Sequence, residues 1–174
     1  MKIAIKKIKG FTLIELLVVL SIIGVLATLI TANLNATREK ARDANRKSDL
    51  RNIQTALRLF YNDYKEYPCD NGTNSNTGYR ILGCGTGVCS AKAACVWGDT
   101  FAISFTNQKY MTVLPNDPQG TNPNTCNSDR CYRYQKDAAD PEIYHLQACL
   151  ENANDPSCTT TASWCNGCVY EVNP

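Results

Sequence analysis

Ten cysteines, one histidine and one carboxylate inside an oily stretch are the residues of this 174-residue chain best placed to do chemistry. The cysteines all lie in the second part of the chain: Cys69, Cys84, Cys89, Cys95, Cys126, Cys131, Cys149, Cys158, Cys165 and Cys168. An even, dense set of this kind points to disulfides, and disulfides persist in an oxidising compartment. A zinc site would show paired C-x2-C units or a Cys/His mix. Only Cys165 and Cys168 have that spacing, and His145 is the sole histidine. The pairing itself is not legible, since ten cysteines allow on the order of a thousand connectivities. If Lys136–Glu142 is a turn between two strands, Cys131 and Cys149 lie nearly opposite each other. Cys126 with Cys131, or Cys165 with Cys168, would instead close short loops. Enzyme chemistry finds little support. A nucleophile needs a base within reach, His145 is alone, and no Gly-x-Ser-x-Gly, His-Glu-x-x-His or phosphate-cradling glycine loop occurs. Cys165-Asn166-Gly167-Cys168 sits in a cysteine-dense tail rather than between a strand and a helix, where a redox motif belongs. The expectation is therefore no enzyme.

The carboxylate is Glu15. It is the single charge in Phe11–Ala32, FTLIELLVVLSIIGVLATLITA, which as a helix is long enough to cross a ~30 Å hydrocarbon core. A carboxylate there costs up to ~3 kcal/mol by insertion scales, less near the end of the span, and marks a functional residue. The preceding ten residues carry Lys2, Lys6, Lys7 and Lys9 and no acid. They favour a cytoplasmic N-terminus and an exported cysteine-rich part, although Arg38, Lys40, Arg42, Arg46 and Lys47 follow at the other end. A secretory signal would have a shorter core and a small-x-small site after it; Leu34-Asn35-Ala36 is a poor match. With a net charge of +2 the chain as a whole is not drawn to nucleic acid.

Gly10-Phe11-Thr12-Leu13-Ile14-Glu15, behind a basic leader and before an apolar run, resembles the cleavage motif of type IV prepilins and type II secretion pseudopilins. The resemblance implies that a membrane prepilin peptidase cuts after Gly10 and methylates the new terminus, Phe11. It also implies that Glu15 is needed for assembly. The new amine at Phe11 would lie one turn from Glu15 and could neutralise the Glu15 of a neighbouring subunit. Gly24 interrupts the span at a cost of about 1 kcal/mol. In the family the helix near this glycine melts in some filaments, often with a proline further on where this chain has Ala32.

The elements that must position these groups are a long helix and a small head. Residues 33–65 lack Pro and Gly. Leu34, Thr37, Ala41, Ala44 and Ser48 form a stripe of small groups, and Leu50, Ile53, Leu57, Phe60 and Tyr64 form an amphipathic face. The helix is expected from Phe11 to about Lys65, ending before Tyr67-Pro68, roughly 80 Å in all. That is too long for a head of ~110 residues to cover. The charged run Arg38–Lys47 reads as a solvated face with local pairs such as Glu39–Arg42 and Asp43–Lys47. Residues 68–100 read as a disulfide-stapled loop, with Asn71-Gly72-Thr73 as a weak glycosylation acceptor pattern, and Trp97–Met111 is expected to hold a short helix. Leu114-Pro115-Asn116-Asp117-Pro118-Gln119-Gly120 resembles a segment of the major type II pseudopilin. Cys131–Gln135, Ile143–Glu151 and Cys168–Val172 suit an antiparallel sheet. In its middle strand Tyr144, Leu146, Ala148 and Leu150 would face the helix, with His145, Gln147 and Cys149 outward.

The fold expected is thus α+β: a long N-terminal helix, membrane-spanning in its first half, on a small antiparallel sheet with disulfide-stapled loops. Residues 1–10 would be a leader, 11–32 the transmembrane and assembly part, 33–67 the amphipathic remainder and 68–174 the head. The function implied is a structural subunit of a type IV pilus-like filament. It would be made as a single-pass inner-membrane precursor with its N-terminus in the cytoplasm and would end in a surface filament. The alternatives are a pseudopilin of a type II secretion or competence machine, or a minor pilin acting as an adhesin. Its partners would be copies of itself, the prepilin peptidase, the membrane assembly platform with its ATPase, and the lipid bilayer before assembly; no nucleic-acid site is evident. Major pseudopilins hold calcium in a C-terminal loop. Acids stand nearby at Asp137, Asp140, Glu142, Glu151 and Asp155, but the glycine- and aspartate-rich loop is missing. No cofactor is expected, with calcium the lesser alternative.

Overall fold

The computed structural model describes residues 10–70, 80–81, 95, 97–103, 108–120, 131–137, 139–140 and 142–174, without the side chains of 29–33 and 103. The chain order is α1 (Leu13–Tyr64), β1 (Phe101–Ile103), β2 (Gln108–Met111), β3 (Arg133–Lys136), β4 (Tyr144–Leu150) and β5 (Cys168–Val172). Two compact units divide it at Arg38 and Glu39, within α1.

In the first unit the helix carries its apolar side chains outward. From Phe11 to Leu26 every large apolar residue is about half exposed or more, from 47% at Val19 to 85% at Phe11. Ser21 and Thr28 return their hydroxyls to the carbonyls of Val18 and Val25, at 2.7 and 2.8 Å, so neither adds an unsatisfied polar group to this surface. Among the described residues no helix is long and apolar enough to cross a membrane. The described side chains of the oily run stop at Thr28, short of the Ala32 limit read from the sequence.

In the second unit α1 packs on both sheets. Leu50, Ile53, Leu57 and Phe60 are fully buried, as the 3–4 spacing predicts. Each such side chain contributes roughly 1.5–3 kcal/mol on leaving water. The helix stops three residues before the proline boundary. Its last bond runs from the Lys65 amide to the Tyr61 carbonyl at 2.7 Å, and Lys65 then takes a left-handed φ of 59°. That reversal turns Tyr67 inward, where its ring meets Tyr61 at 4.8 Å and Tyr144 at 4.6 Å.

The sheet β3-β4-β5 is antiparallel with β4 central, and Tyr134 opposes Leu146 while Leu150 opposes Cys168. Tyr134, Tyr144, Leu146 and Ala148 face the core. Among the described residues of Trp97–Met111 no helix is formed. β1 and β2 pair there instead as two antiparallel strands. Phe101 and Tyr110, both buried, meet at 5.4 Å; Phe101 stacks on Phe60 at 5.8 Å, and Tyr110 meets Phe60 edge to face at 5.2 Å. Aromatic residues anchored on one face favour the two-residue period of a strand. Of the stapled loop, Ile81, Cys95 and Trp97 are buried, with Ile81 bridged to Asp70; Asn71-Gly72-Thr73 lies outside the described residues.

Cys149 bonds to Cys165 and Cys158 to Cys168. Neither a Cys131–Cys149 nor a Cys165–Cys168 bridge exists. The anticipated register is present, since Arg133 opposes Gln147. But β4 is central, and the chain returning to β5 brings Cys165 within 5.5 Å of Cys149, Cα to Cα. For the same reason Cys149 is not outward in the sense of solvated. It is buried in a second small core with Cys165 and Val169, flanked by Ala162 and Trp164. Cys69, Cys95 and Cys131 are disulfide-bonded too, and Cys84, Cys89 and Cys126 lie outside the described residues.

Gly167 opposes the end of β4 so closely that a Cβ there would fall 1.9 Å from the Leu150 carbonyl oxygen. Gly167→Ala is expected to destabilise the head by about 1–3 kcal/mol, measured as a shift of the denaturation midpoint. A variant of wild-type stability would show that this crossing yields easily.

Candidate functional site: the head of the exposed helix

Thr12 and Glu15 form a capping box. Thr12 is the residue before the helix and Glu15 the third within it. The Thr12 amide and hydroxyl both donate to Glu15 Oε2 at 2.8 Å, and the Glu15 amide donates to Thr12 Oγ1 at 3.3 Å. Reciprocal bonds of this kind satisfy amides that no helical carbonyl reaches, and a carboxylate suits the positive end of the helix dipole. Glu15 is therefore not a bare charge on an apolar helix: two donors of Thr12 already hold it. Phe11, Ile14, Glu15, Val18 and Val19 line one shallow apolar groove on the helix surface. Thr12 was missed as a site residue, yet the Thr-x-x-Glu spacing before an apolar run is legible in the sequence.

Neither glycine of this region is demanded by the fold. A Cβ at Gly10 or Gly24 would meet nothing within 4 Å, and neither residue has a left-handed φ. The leader, residues 1–9, lies outside the described residues.

A second cluster holds the head to α1. Arg46 is 1% exposed. Its Nε and Nη2 donate to Asp117 at 2.7 and 3.0 Å, and its Nη1 donates to Asp43 at 2.8 Å and Glu151 at 2.7 Å. Arg42 grips Glu151 through Nε at 2.7 Å and Nη2 at 2.5 Å, and Lys47 reaches Asp155 at 2.6 Å. Asp43 also accepts the amides of Glu151 and Asn152 at 2.9 and 3.0 Å. The run Arg38–Lys47 is thus solvated on one side only, at Arg38 and Lys40, and its ion pairs are not Glu39–Arg42 and Asp43–Lys47. Its partners come from far along the chain, because one helical face is roofed by the loops at Asp117 and Glu151–Asp155. Hydrogen bonds from Arg42, then from Arg46, hold the Glu151 carboxyl down to about 2, and Lys47 with Ser157 does the same for Asp155. Burial works against the charge on Arg46, and its three carboxylates raise its pKa regardless.

The remaining candidates are spread out. Among the described residues no group of three His, Cys, Asp or Glu side chains could hold a metal ion. Glu151 and Asp155 face cations of the protein itself. Asp137 and Asp140 accept backbone amides of the β3–β4 turn, and Glu142 accepts the Tyr61 hydroxyl at 3.2 Å. His145 is part-exposed, with Nδ1 2.6 Å from Glu171 and Nε2 3.8 Å from Asp137.

Comparison with known proteins follows this geometry. The family described as prokaryotic N-terminal methylation motif matches residues 5–31. The type II secretion system core protein G of Escherichia coli (strain K12) is 33% identical over 117 residues, which cover 67% of this chain and 70% of that one. Its Klebsiella pneumoniae counterpart is 34% identical over 113 residues, 65% and 70% of the two chains. The type IV major pilin protein PilA of Myxococcus xanthus is 34% identical over 59 residues, 34% of this chain and 27% of that one. No solved structure matches. Taken with the helix, its capped carboxylate and the disulfide-bonded sheet, these likenesses show that the chain belongs to the family of type IV pilins and type II secretion pseudopilins, the structural subunits of pili and pseudopili.

Proposed function

We propose that this chain is a shaft subunit of a type IV pilus-like filament, polymerised through the apolar first part of α1. Residues 1–10 serve as a leader that a prepilin peptidase removes after Gly10, methylating Phe11. Residues 11–32 hold the precursor in the lipid bilayer, with the leader in the cytoplasm and the disulfide-bonded head outside. Residues 33–67 join this part to the head, 68–174. A membrane platform and its ATPase drive insertion into the growing filament. The role is structural, not enzymatic.

One observation carries the reading. A helix exposes every large apolar side chain over its first turns, and at its head a carboxylate is held ready by Thr12. Such a surface is stable only in lipid or against similar helices. Cleavage after Gly10 would place a cationic amine beside that carboxylate, and pairing between copies would remove both charges from water together. Gly24, with free space around it, gives this helix a local point of weakness.

A second reading, a pseudopilus of a type II secretion machine, is favoured by one feature of the head. The likeness to core protein G covers two-thirds of the chain, and Asp117, from the pseudopilin-like segment Leu114–Gly120, is the residue that receives Arg46.

N-terminal sequencing and mass spectrometry of sheared surface filaments are expected to give a chain starting at N-methylated Phe11. A retained lysine-rich leader, or a start beyond Ala32, would refute the proposal.

A further inference from the structure

The basic side chains of α1 in the head stand on two faces: Arg42, Arg46 and Lys47 meet acids of the head, and others do not. Of the acids of α1 in the head, Asp43 is buried and receives Arg46, the half-buried Asp49 accepts the Tyr132 hydroxyl at 2.7 Å, and the exposed Asp63 accepts the Tyr110 hydroxyl at 2.8 Å. Lys40, Arg51 and Arg58 point outward and are exposed. Eleven and seven residues separate them, close to whole numbers of helical turns, so they form one ridge. None of the three forms an ion pair within 4.0 Å with another described residue. An ordinary solvated helix face alternates its signs, and this ridge carries one sign at its three charged positions.

The counter-charges sit on the β3–β4 turn. The Asp137 carboxylate accepts the amides of Ala139 and Asp140 at 2.7 and 3.1 Å, and Asp140 accepts the amide of Glu142 at 2.9 Å. These bonds fix the turn and present Asp140 and Glu142, neither of which meets a described cation. Tyr61 already donates to Glu142, so the turn stands at the edge of the helix face that bears the ridge.

We infer that the Lys40–Arg51–Arg58 ridge is a docking surface for a second copy of this chain, whose Asp140 and Glu142 it receives. The inference rests on the filament reading and adds which faces meet in the head and what fixes their register. Two features favour a second copy. The ridge lies along the element through which assembly is proposed, and the chain bears uncompensated acids to match it. The near-neutral net charge of +2 gives no general attraction for a polyanion. Like charges brought together at such a contact repel strongly, so charge reversal is a sensitive probe.

The test uses full-length chains in cells that assemble the wild-type filament. Arg51→Glu with Arg58→Glu is expected to lower the yield of sheared filament by about tenfold or more. Asp140→Lys with Glu142→Lys should do the same, and all four changes together should restore most of the yield. Equal amounts of disulfide-bonded subunit in the membrane fraction would show that each variant folds. The inference falls if either reversed pair assembles like the wild type, or if the fourfold variant stays defective. It also falls if Arg51→Glu with Arg58→Glu spares filaments while abolishing retention of the purified chain on heparin, since the ridge would then serve a polyanion. If the wild-type chain yields no filament at all, the filament reading itself fails, and this inference with it.

Discussion

Arg46→Met is expected to destabilise the head by about 3–5 kcal/mol. The guanidinium joins Asp43, Asp117 and Glu151, and both Asp43 and Asp117 are nearly as buried as it is. Removing it leaves carboxylates out of water without a cation, which costs more than the ion pair itself contributed. Arg46→Lys keeps the charge but loses the paired bonds to Asp117, so an intermediate loss is expected. Denaturation of the full chain in detergent, followed by tryptophan fluorescence, measures both, and a methionine variant within 1 kcal/mol of wild type, roughly the ceiling for an exposed pair, would refute the argument. The same cluster sets an acid limit. Glu151 and Asp155 titrate at about 2 when folded, below their ordinary ranges. Their contribution is complete above the ordinary carboxylate range and disappears as pH falls toward 2. Glu151→Gln should flatten that acid limb.

Glu15→Ala is expected to reduce sheared filaments by roughly a hundredfold or more, because the amine of a neighbouring Phe11 would be left buried without its counter-charge. Thr12→Val should act more mildly. It removes the hydroxyl that bonds Glu15 but keeps the backbone amide bond at 2.8 Å. A lost cap costs about 1 kcal/mol, or roughly a fivefold drop. Immunoblots of sheared and cell-bound fractions separate assembly from expression. Near-normal filaments from Glu15→Ala would show that the carboxylate serves only as a helix cap.

The parts legible in the sequence were those governed by local rules. The spacing of Leu50, Ile53, Leu57 and Phe60 gave the buried face, and alternation gave all three strands of the larger sheet. Thr12-x-x-Glu15 is equally readable as a cap. What failed depended on distant chain. Arg46 looks like a solvated cation until Asp117 and Glu151 arrive from 71 and 105 residues away. The Cys131–Cys149 pairing is reasonable in register and wrong in partner, since a central strand has two neighbours and the chain leading into the second brings Cys165. The expected helix over Trp97–Met111 gave way to Phe101 and Tyr110, whose burial against Phe60 outweighs local propensity.

The two bridges Cys149–Cys165 and Cys158–Cys168 are interleaved along the chain. Along the sequence each ring contains one cysteine of the other, so the two bonds together tie residues 149–168 into one covalent unit. A fibre that is pulled loads its subunits mechanically, and an outermost final strand such as β5 is where peeling would begin. Here a tug on the C-terminus is stopped at Cys168 and passed through the crossed covalent links into β4, the centre of the sheet.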